Sequence, residues 1–297
     1  MRSASAPRRV IAGCVGVWLL GVAVPAAAQP LVVTVSHRAR GLLPGEALLL
    51  RVEVSGPLTE VRATAFDETI RFYPAPDGAW YGLVGIDLLV EPGDHDVALR
   101  IMPETGNGIA HVYTLKVEHK AYQTRQLTVA PRYVDPPPDV GERIAREAQR
   151  QRAIFATATE ERLWRGSWRR PVAGPATSAF GSQSVFNGQP RSPHSGADFR
   201  AAEGTPVTAP NVGKVVLTGD TYFSGGSVIL DHGWGLYSYF AHLSEILVEE
   251  GDVVEPGQVI GHAGATGRVT GPHLHWTLRL NGARVDPLSL IDILEER

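Results

Sequence analysis

The chain has 297 residues, of which 43% are hydrophobic and 20% charged, so its length suits about two globular domains and its composition excludes a fibrous or disordered chain. Of its 28 basic residues, three precede residue 10, which leaves 25 against 31 acidic residues in the rest of the chain and excludes a basic nucleic-acid-binding footprint. The only cysteine, Cys14, lies in a predicted signal segment, so the mature chain is expected to contain no disulfide bond, thiolate nucleophile or thiolate metal ligand.

The amino terminus has the pattern of a secretory signal peptide. Three arginines precede an apolar run over residues 10–24, and three alanines follow it, so we predict cleavage after Ala28. The run is shorter than the about 20 residues that a membrane-spanning helix needs, so no stable membrane span is expected after cleavage. The alternative, lipidation at Cys14, is disfavoured because only two apolar residues separate Arg9 from Ala12. The mature protein is therefore expected to be exported, to the periplasm or the cell envelope.

The segment over residues 29–133 predicts an amino-terminal, immunoglobulin-like β-sandwich. Short β-branched runs alternate with turn sequences such as PAPDG at 74–78 and EPGDH at 91–95, where proline and glycine supply the turn conformations. The predicted strands are LVVTVS, EALLLRVEV, EVRATAF, AWYGLVGIDLLV, HDVALRI and HVYTLKVEH.

A Pro-rich joint and a linker helix are predicted over residues 134–167. Three prolines at 136–138 stop any strand, and the charged segment from Gly141 to Trp164 has helical spacing and good helix formers. Its apolar stripe is only partial, so we expect the helix to lean on one of the two domains. We interpret its charges as a solvated face and not as a binding site.

Residues 168–297 predict a second, antiparallel β domain with short glycine-rich connections. No long helical period occurs there, and the chain is expected to end soon after Pro287 in a short helical turn or tail. The predicted strands are TPVTAP, GKVVLTGD, GSVILDHG, GLYSYFAHL, DVVEPGQVIG and PHLHWTLRLNG. Together the segments predict a mainly β fold.

Six of the ten histidines lie between His194 and His275. His273 and His275 alternate in the predicted strand PHLHW, which puts both imidazoles on one face. Alone, such a pair could be two surface histidines of a hairpin. His194 and Asp198 flank a glycine in HSGAD, and we expect Gly196 to let the chain fold back so that both side chains reach one point.

These residue types suit a zinc site. A catalytic zinc ion accepts imidazole and carboxylate ligands and keeps three protein ligands beside one open position. HSGAD offers two ligands and the later histidine pair a third, although Asp198 alone could equally cap a turn. His242 follows an aromatic strand. With His242 included, the candidate residues outnumber the ligands that tetrahedral zinc requires, so some of them should transfer protons. The motif HExxH is absent, which argues against a helical zincin site.

The remaining histidines lack ligand spacing. His232 and His262 adjoin glycines at predicted turns, so we expect structural or solvent-facing roles for both. The others lie in the amino-terminal segment, at His37, His95, His111 and His119.

The order His194-x-x-x-Asp198, His242 and His273-x-His275 resembles the lysostaphin-type, or LytM-type, zinc metallopeptidases of bacterial cell walls. The resemblance covers residues 168–287, and the amino-terminal segment GLVGIDLLVEPGDHDVAL is similar to sandwich domains that precede this peptidase in exported proteins of Gram-negative-type bacteria. Further matching segments are SAFG at 178–181, GTPVTAP at 204–210, ILDHGWGLYSYFAHLS and GATGRVTGPHLHW.

The resemblance implies one zinc ion per chain, held by His194, Asp198 and His275. It makes His242 and His273 the catalytic histidines, one helping to deprotonate a zinc-bound water and the other steadying charge on the tetrahedral intermediate, in an order left open. The implied function is a zinc endopeptidase that uses this activated water to hydrolyse peptide bonds in peptidoglycan stems or cross-bridges, with peptidoglycan peptides as its partners.

Two alternatives remain beside this hypothesis. A catalytically idle activator or regulator of cell-wall amidases would typically have lost metal ligands, whereas all five polar residues are present. A wall-binding module with a structural zinc ion would have a fourth protein ligand.

One departure from the family pattern concerns the loop after FG, where Gln183 and Ser184 replace the arginine of many relatives, so no substrate contact near Asn187 and Gly188 is carried over. The bond cleaved, the role of the sandwich and the oligomeric state stay open.

Overall fold

Strands dominate the computed structural model, which describes residues 31–178 and 180–295. The mainly β prediction is confirmed. The predicted signal peptide and Cys14 lie outside the described residues. From Val32 onward the chain forms one compact unit. In the described ranges no helix is long and apolar enough to cross a membrane.

The amino-terminal part forms a seven-stranded antiparallel sheet with the strand order β1-β2-β5-β4-β3-β6-β7. Its core contains Leu48, Leu50, Ile101 and Leu115, all with no exposed surface. The immunoglobulin-like character of this part stays a prediction. The strands are β1 Val33–Ala39, β2 Ala47–Val54, β3 Leu58–Ala65, β4 Glu68–Pro74, β5 Trp80–Gly85, β6 Gly93–Pro103 and β7 Ile109–Val117.

A small three-stranded sheet, absent from the sequence predictions, links the two parts of the chain. Its strands are β8 Thr124–Leu127, β10 Gln183–Phe186 and β11 Gln189–Pro190. β8 pairs parallel with β10, and β10 pairs antiparallel with β11. The two-residue turn of that hairpin is Asn187 and Gly188, both with positive φ (50° and 81°), which is the conformation that an Asn-Gly hairpin favours.

The carboxy-terminal part forms a ten-stranded sheet along the path β17-β14-β15-β16-β19-β12-β9, with β13, β18 and β20 attached to it. All its pairings are antiparallel, as predicted. Phe240 stacks on Trp276 in its core, with ring centroids 6.3 Å apart. The strands are β9 Ala176–Ser178, β12 Ala197–Arg200, β13 Pro206–Thr208, β14 Gly213–Thr221, β15 Gly225–Asp231, β16 Leu236–Ile246, β17 Val253–Val254, β18 Val259–Ala263, β19 His273–Leu280 and β20 Ala283–Val285.

Two helices pack beside these sheets. α1, Gly141–Phe155, leans on the carboxy-terminal sheet, where Phe155 contacts the ring of Tyr237 edge to face at 5.6 Å between centroids. The expectation that the helix leans on one part of the protein is thereby met. α2, Pro287–Leu294, is a buried two-turn helix and therefore more than the short turn or tail expected. Its Ser289 hydroxyl accepts a hydrogen bond from the amide of Ala47, which ties the chain end to β2.

Candidate active site

Three predicted residues converge on one point of the carboxy-terminal sheet. His194 Nε2 lies 3.0 Å from Asp198 Oδ1 and 3.0 Å from His275 Nδ1, and the last two atoms are 2.8 Å apart. Their side chains are largely buried, with 16% to 19% of their surface exposed. Such a triangle of two imidazole nitrogens and a carboxylate oxygen could hold a metal ion.

Strand register creates this convergence. β12 pairs with β19 so that Asp198 lies opposite His275, and β16 pairs with the other side of β19 so that Ala241 also lies opposite His275. His194 precedes β12, and its backbone is anchored because its amide donates to the Ser182 carbonyl at 2.9 Å. Residues that are 77 positions apart are thus placed side by side by strand pairing.

Gly196 is needed here for a reason other than the one predicted. Its φ is not in the left-handed region, so the chain does not depend on glycine for a special fold-back. A Cβ at this position would instead lie 2.7 Å from Cε1 of His275 and 2.6 Å from the carbonyl oxygen of Trp276. Glycine is therefore required by the close approach of the HSGAD segment to the His275 ring.

The protonation states of Asp198 and His275 suit metal ligation. Burial raises the pKa of Asp198, but its hydrogen bonds with His194 and His275 outweigh burial and hold the pKa far below its usual range. Burial lowers the pKa of His275. Nε2 of His275 bonds the hydroxyl of the buried Thr277 at 2.9 Å, which fixes the ring and directs Nδ1 at the cluster. The site therefore presents one carboxylate and neutral imidazole, as zinc requires.

The ligand separations also fit zinc. Ligand bonds of about 2.0 to 2.1 Å in a tetrahedron place the ligand atoms roughly 3.4 Å apart. The 2.8 to 3.0 Å separations found here are a few tenths of an ångström shorter. A small outward shift of the three side chains would therefore accommodate the ion.

His242 and His273 lie beside this cluster. Their ring centroids are 4.8 Å apart, and Nε2 of His273 lies 3.8 Å from Oδ1 of Asp198. Each ring donates through Nδ1 to a backbone carbonyl, His242 to Thr266 at 2.9 Å and His273 to Gly271 at 2.8 Å. When a ring is neutral, this bond leaves Nε2 as its unprotonated nitrogen. Desolvation, together with the neighbouring His275 and His273, lowers the pKa of His242 to about 3.

A cleft of about 420 Å³ opens over these five residues. The small sheet and α1 contribute to its walls, so the cleft is not built from the carboxy-terminal part alone. The sequence offered no signal for this contribution, because the pairing of β8 with β10 joins segments about 60 residues apart. The residues from before position 168 that line the cleft are Arg125, Leu127, Val129, Gln151 and Phe155.

The other predicted histidines lie away from the cluster. His262 bonds Glu245 at 2.9 Å. His232 has no exposed surface, and its ring bonds the Val212 carbonyl at 2.6 Å and the Ser238 hydroxyl at 2.9 Å. Of the two roles expected for His232, the structural one is the one found.

His232 makes stability depend on pH. Burial lowers its folded-state pKa from 6.5 to about 4, so unfolding releases a histidine that binds a proton more readily. Its contribution is fully present above pH 6.5 and is lost as the pH falls towards 4. Between about pH 7.5 and about pH 5 the free energy of unfolding should fall by about 2 kcal/mol from this residue. Urea unfolding of His232→Gln should show a correspondingly smaller loss than wild type.

The exposed His119 provides the matched control, since His119→Gln should show the full wild-type loss. An equal pH dependence in wild type and His232→Gln would contradict the prediction.

Comparisons with known proteins agree with this geometry. The model of peptidase family M23 matches residues 192–287. The peptidoglycan DD-endopeptidase ShyA of Vibrio cholerae is 45% identical over 96 residues, which are 32% of this chain and 22% of that protein. The glycyl-glycine endopeptidase ALE-1 of Staphylococcus capitis is 43% identical over 90 residues, 30% of this chain and 25% of that protein. The matched segment thus spans about a quarter or less of these two relatives.

A solved structure extends the similarity over most of the chain. The crystal structure of a peptidase M23 from Pseudomonas aeruginosa is 34% identical and superposes with a TM-score of 0.67. The match covers 86% of this chain and 97% of that chain, so it includes both the amino-terminal and the carboxy-terminal sheets. On this similarity and on the match to residues 192–287, the chain belongs to peptidase family M23.

Proposed function

We propose that this protein is an exported, zinc-dependent endopeptidase that hydrolyses peptide bonds in peptidoglycan stems or cross-bridges. The observation that carries the proposal is the convergence of His194 Nε2, Asp198 Oδ1 and His275 Nδ1 within 3.0 Å of one another. Two further imidazoles lie beside them in a cleft large enough for a peptide. The named activities of the relatives in family M23 support the substrate class.

In this proposal His194, Asp198 and His275 hold one zinc ion per chain. A bound zinc ion would lower the pKa of a water molecule to about 7 and polarise the scissile carbonyl. Three protein ligands leave a fourth position open, as catalytic zinc sites do. Among the described residues, no further histidine or carboxylate belongs to the cluster, so the geometry favours this set over a closed structural site.

His242 and His273 supply the proton transfers. Because each Nδ1–H is held by a backbone carbonyl, each Nε2 is a proton acceptor with a fixed direction. One imidazole takes a proton from the attacking water and passes it to the leaving amine, while the other, when protonated, stabilises the negative charge that develops on the carbonyl oxygen. The two ring centroids lie within 5 Å of each other, so both rings can face the same reacting group.

The competing function is a catalytically idle activator of cell-wall amidases. Such a protein needs the cleft but neither the ligands nor the two histidines, so nothing would keep all five side chains converged on one point. The geometry therefore favours the enzyme.

The deciding experiment is digestion of purified peptidoglycan by the zinc-loaded mature protein. New peptide amino termini should appear, a chelator should abolish their release, and added zinc should restore it. His275→Ala should release none. An idle activator would release no termini in any of these reactions and would stimulate an added amidase equally well with His275→Ala.

Export and domain organisation belong to the same proposal. We propose cleavage after Ala28, a β-sandwich domain over residues 29–133, a joint and helix over 134–167 and the peptidase domain over 168–297. The mass of the native mature protein should match a chain that starts at Gln29. A glyceride-modified Cys14 in the mass spectrum would refute the predicted cleavage site.

Gly196→Ala should weaken zinc binding without changing any ligand. The added methyl group would meet the His275 ring at 2.7 Å, and it must therefore displace either the ring or the HSGAD backbone. We expect zinc affinity to fall by about 10- to 100-fold, as for other changes that misplace a ligand. Competition with a chelating dye would measure the dissociation constant.

Gly141→Ala is the control for this variant, because a Cβ there meets nothing within 4 Å and φ is negative. Unchanged zinc affinity in Gly196→Ala would show that the His275 ring tolerates the methyl group and would contradict the prediction.

A further inference from the structure

A guanidinium group lies in the cleft wall without an anionic partner. Arg268 is enclosed by two aromatic rings, with its Cζ 4.7 Å from the centroid of Phe186 and 4.8 Å from that of Phe223. Within residues 31–178 and 180–295 its side chain forms no hydrogen bond and no ion pair. The rings hold the charge in a fixed place and shield it from water on two sides.

A second guanidinium lies next to it. Nη2 of Arg191 donates to the Val134 carbonyl at 2.6 Å and to the Gln189 side chain at 2.8 Å, which holds this side chain in position. Its Nε is buried and has no hydrogen-bond partner among the described residues. Burial, and then the charge of Arg191, lower the pKa of Arg268. Two cations with unused donors thus line the same cleft.

No carboxylate of the protein balances them. Among the described residues that line the cleft, the only acidic side chain is Asp198, whose Oδ1 is already bonded to His194 and His275. Enclosing two cations without a counter-ion is unfavourable, because desolvation is not offset by an opposite charge. The two guanidinium groups therefore favour the binding of an anionic ligand that would balance their charge.

The pair lies close to the proposed reaction centre. The amide of Arg268 donates to the Phe223 carbonyl at 2.7 Å, and the amide of His242 donates to the next carbonyl, that of Ser224, at 2.8 Å. Thr266, two residues before Arg268, holds the His242 ring through its carbonyl. The backbone that orients His242 therefore also positions Arg268.

We propose that Arg268 and Arg191 form a carboxylate-binding subsite that recognises a free carboxylate of the peptide substrate. This inference rests on the proposed peptidase function and narrows its substrate class to acidic peptides. Peptidoglycan stems carry free carboxylates, whereas an oligoglycine bridge is neutral along its length. A planar guanidinium binds a carboxylate through two parallel hydrogen bonds, and the flanking rings prepare Arg268 for that geometry.

Discrimination between acidic and neutral peptides should be strong, because a neutral substrate would leave both guanidinium groups partly desolvated and without an opposite charge. Sites built to bond a polar substrate group reject analogues that lack the group far better than apolar pockets reject a missing methylene. The subsite therefore selects stem peptides and disfavours glycine bridges.

A test compares a cross-linked dimer of stem peptides with derivatives in which its carboxylates are converted to carboxamides one at a time. For wild type, at least one amidated derivative should show kcat/KM lowered by about tenfold or more. Arg268→Gln should cleave the parent more slowly and that derivative no worse than the parent. Arg268→Lys, which keeps the charge but not the paired donors, should retain part of the preference. Arg146→Gln, an exposed change on α1, should behave as wild type.

Binding of the same peptides, measured by calorimetry on the metal-free chain, separates this inference from the proposed function. Loss of the carboxylate preference in Arg268→Gln supports the subsite even if the chain hydrolyses nothing. A wild-type chain that cleaves or binds all derivatives equally overturns the subsite and leaves the peptidase function standing. Equal preference in wild type and Arg268→Gln overturns it as well. Thermal unfolding should confirm that each variant is folded.

Discussion

Asp198→Ala should remove zinc from the protein and lower hydrolysis of peptidoglycan by about 10³-fold or more. In the proposed zinc site Asp198 is the only anionic ligand, and its Oδ1 lies 3.0 Å from His194 Nε2 and 2.8 Å from His275 Nδ1. Without it two imidazoles remain, and neither carries a negative charge that could balance a divalent cation in a buried site. Metal catalysis contributes several kcal/mol to the barrier, and each about 1.4 kcal/mol is a factor of ten.

The measurement pairs metal analysis with peptide release. Zinc per chain, determined by plasma mass spectrometry after gel filtration, should fall from about one to near zero, in parallel with the loss of new peptide termini. Asp198→Asn tests the charge alone and should also lose zinc. Asp139→Ala removes an exposed carboxylate far from the cluster in sequence and should change neither quantity. Full zinc content in Asp198→Ala would remove Asp198 from the ligand set.

The sequence predicted the side chains of the site better than their arrangement. Period-two alternation places His273 and His275 on one face of a strand, and both line the cleft. The same alternation extends to Thr277, whose hydroxyl orients the His275 ring, although no motif in the sequence marks this threonine. Alternation along the strand is therefore sufficient to place three β19 side chains on the cleft face, including Thr277, which was not predicted.

The pairing of the strands could not be predicted from the sequence. The register that puts Asp198 and Ala241 on either side of His275 depends on contacts between distant segments. β4 was missed because the β3–β4 turn, Phe66 and Asp67, adopts positive φ without glycine and so lacks the usual hairpin signal. The parallel pairing of β8 with β10 likewise had no local signal in the sequence. The contribution of the small sheet to the cleft could therefore not be predicted either.

Arg268 illustrates the same limit for function. Its sequence context, GATGRVTGPHLHW, contributed to the family resemblance but did not distinguish this arginine from the other 27 basic residues of the chain. Its significance comes from two rings, Phe186 and Phe223, that are far from it in sequence. An unpaired, partly buried charge can be recognised only when the neighbours that could have paired with it are known.

His242→Asn should lower hydrolysis by about 10²-fold or more while the zinc content stays unchanged. His242 has φ of 66°, a conformation that asparagine tolerates better than most residues, so this change removes the imidazole with little backbone cost. His273→Ala should have a comparable effect, since its Nε2 is also directed at the cluster, 3.8 Å from Asp198. Neither ring lies within the triangle of ligand atoms, so neither is needed to hold the metal.

The contrast with Asp198→Ala is what identifies a proton-transfer role. Loss of a ligand removes zinc and activity together, whereas loss of His242 or His273 should leave a zinc-loaded protein that binds peptide normally, with reduced kcat and little change in KM. Added imidazole, by entering the space left in His242→Asn, should restore part of the rate. If either variant lost zinc in proportion to activity, that histidine would be a ligand, and the division of the five residues into three that bind metal and two that move protons would fail.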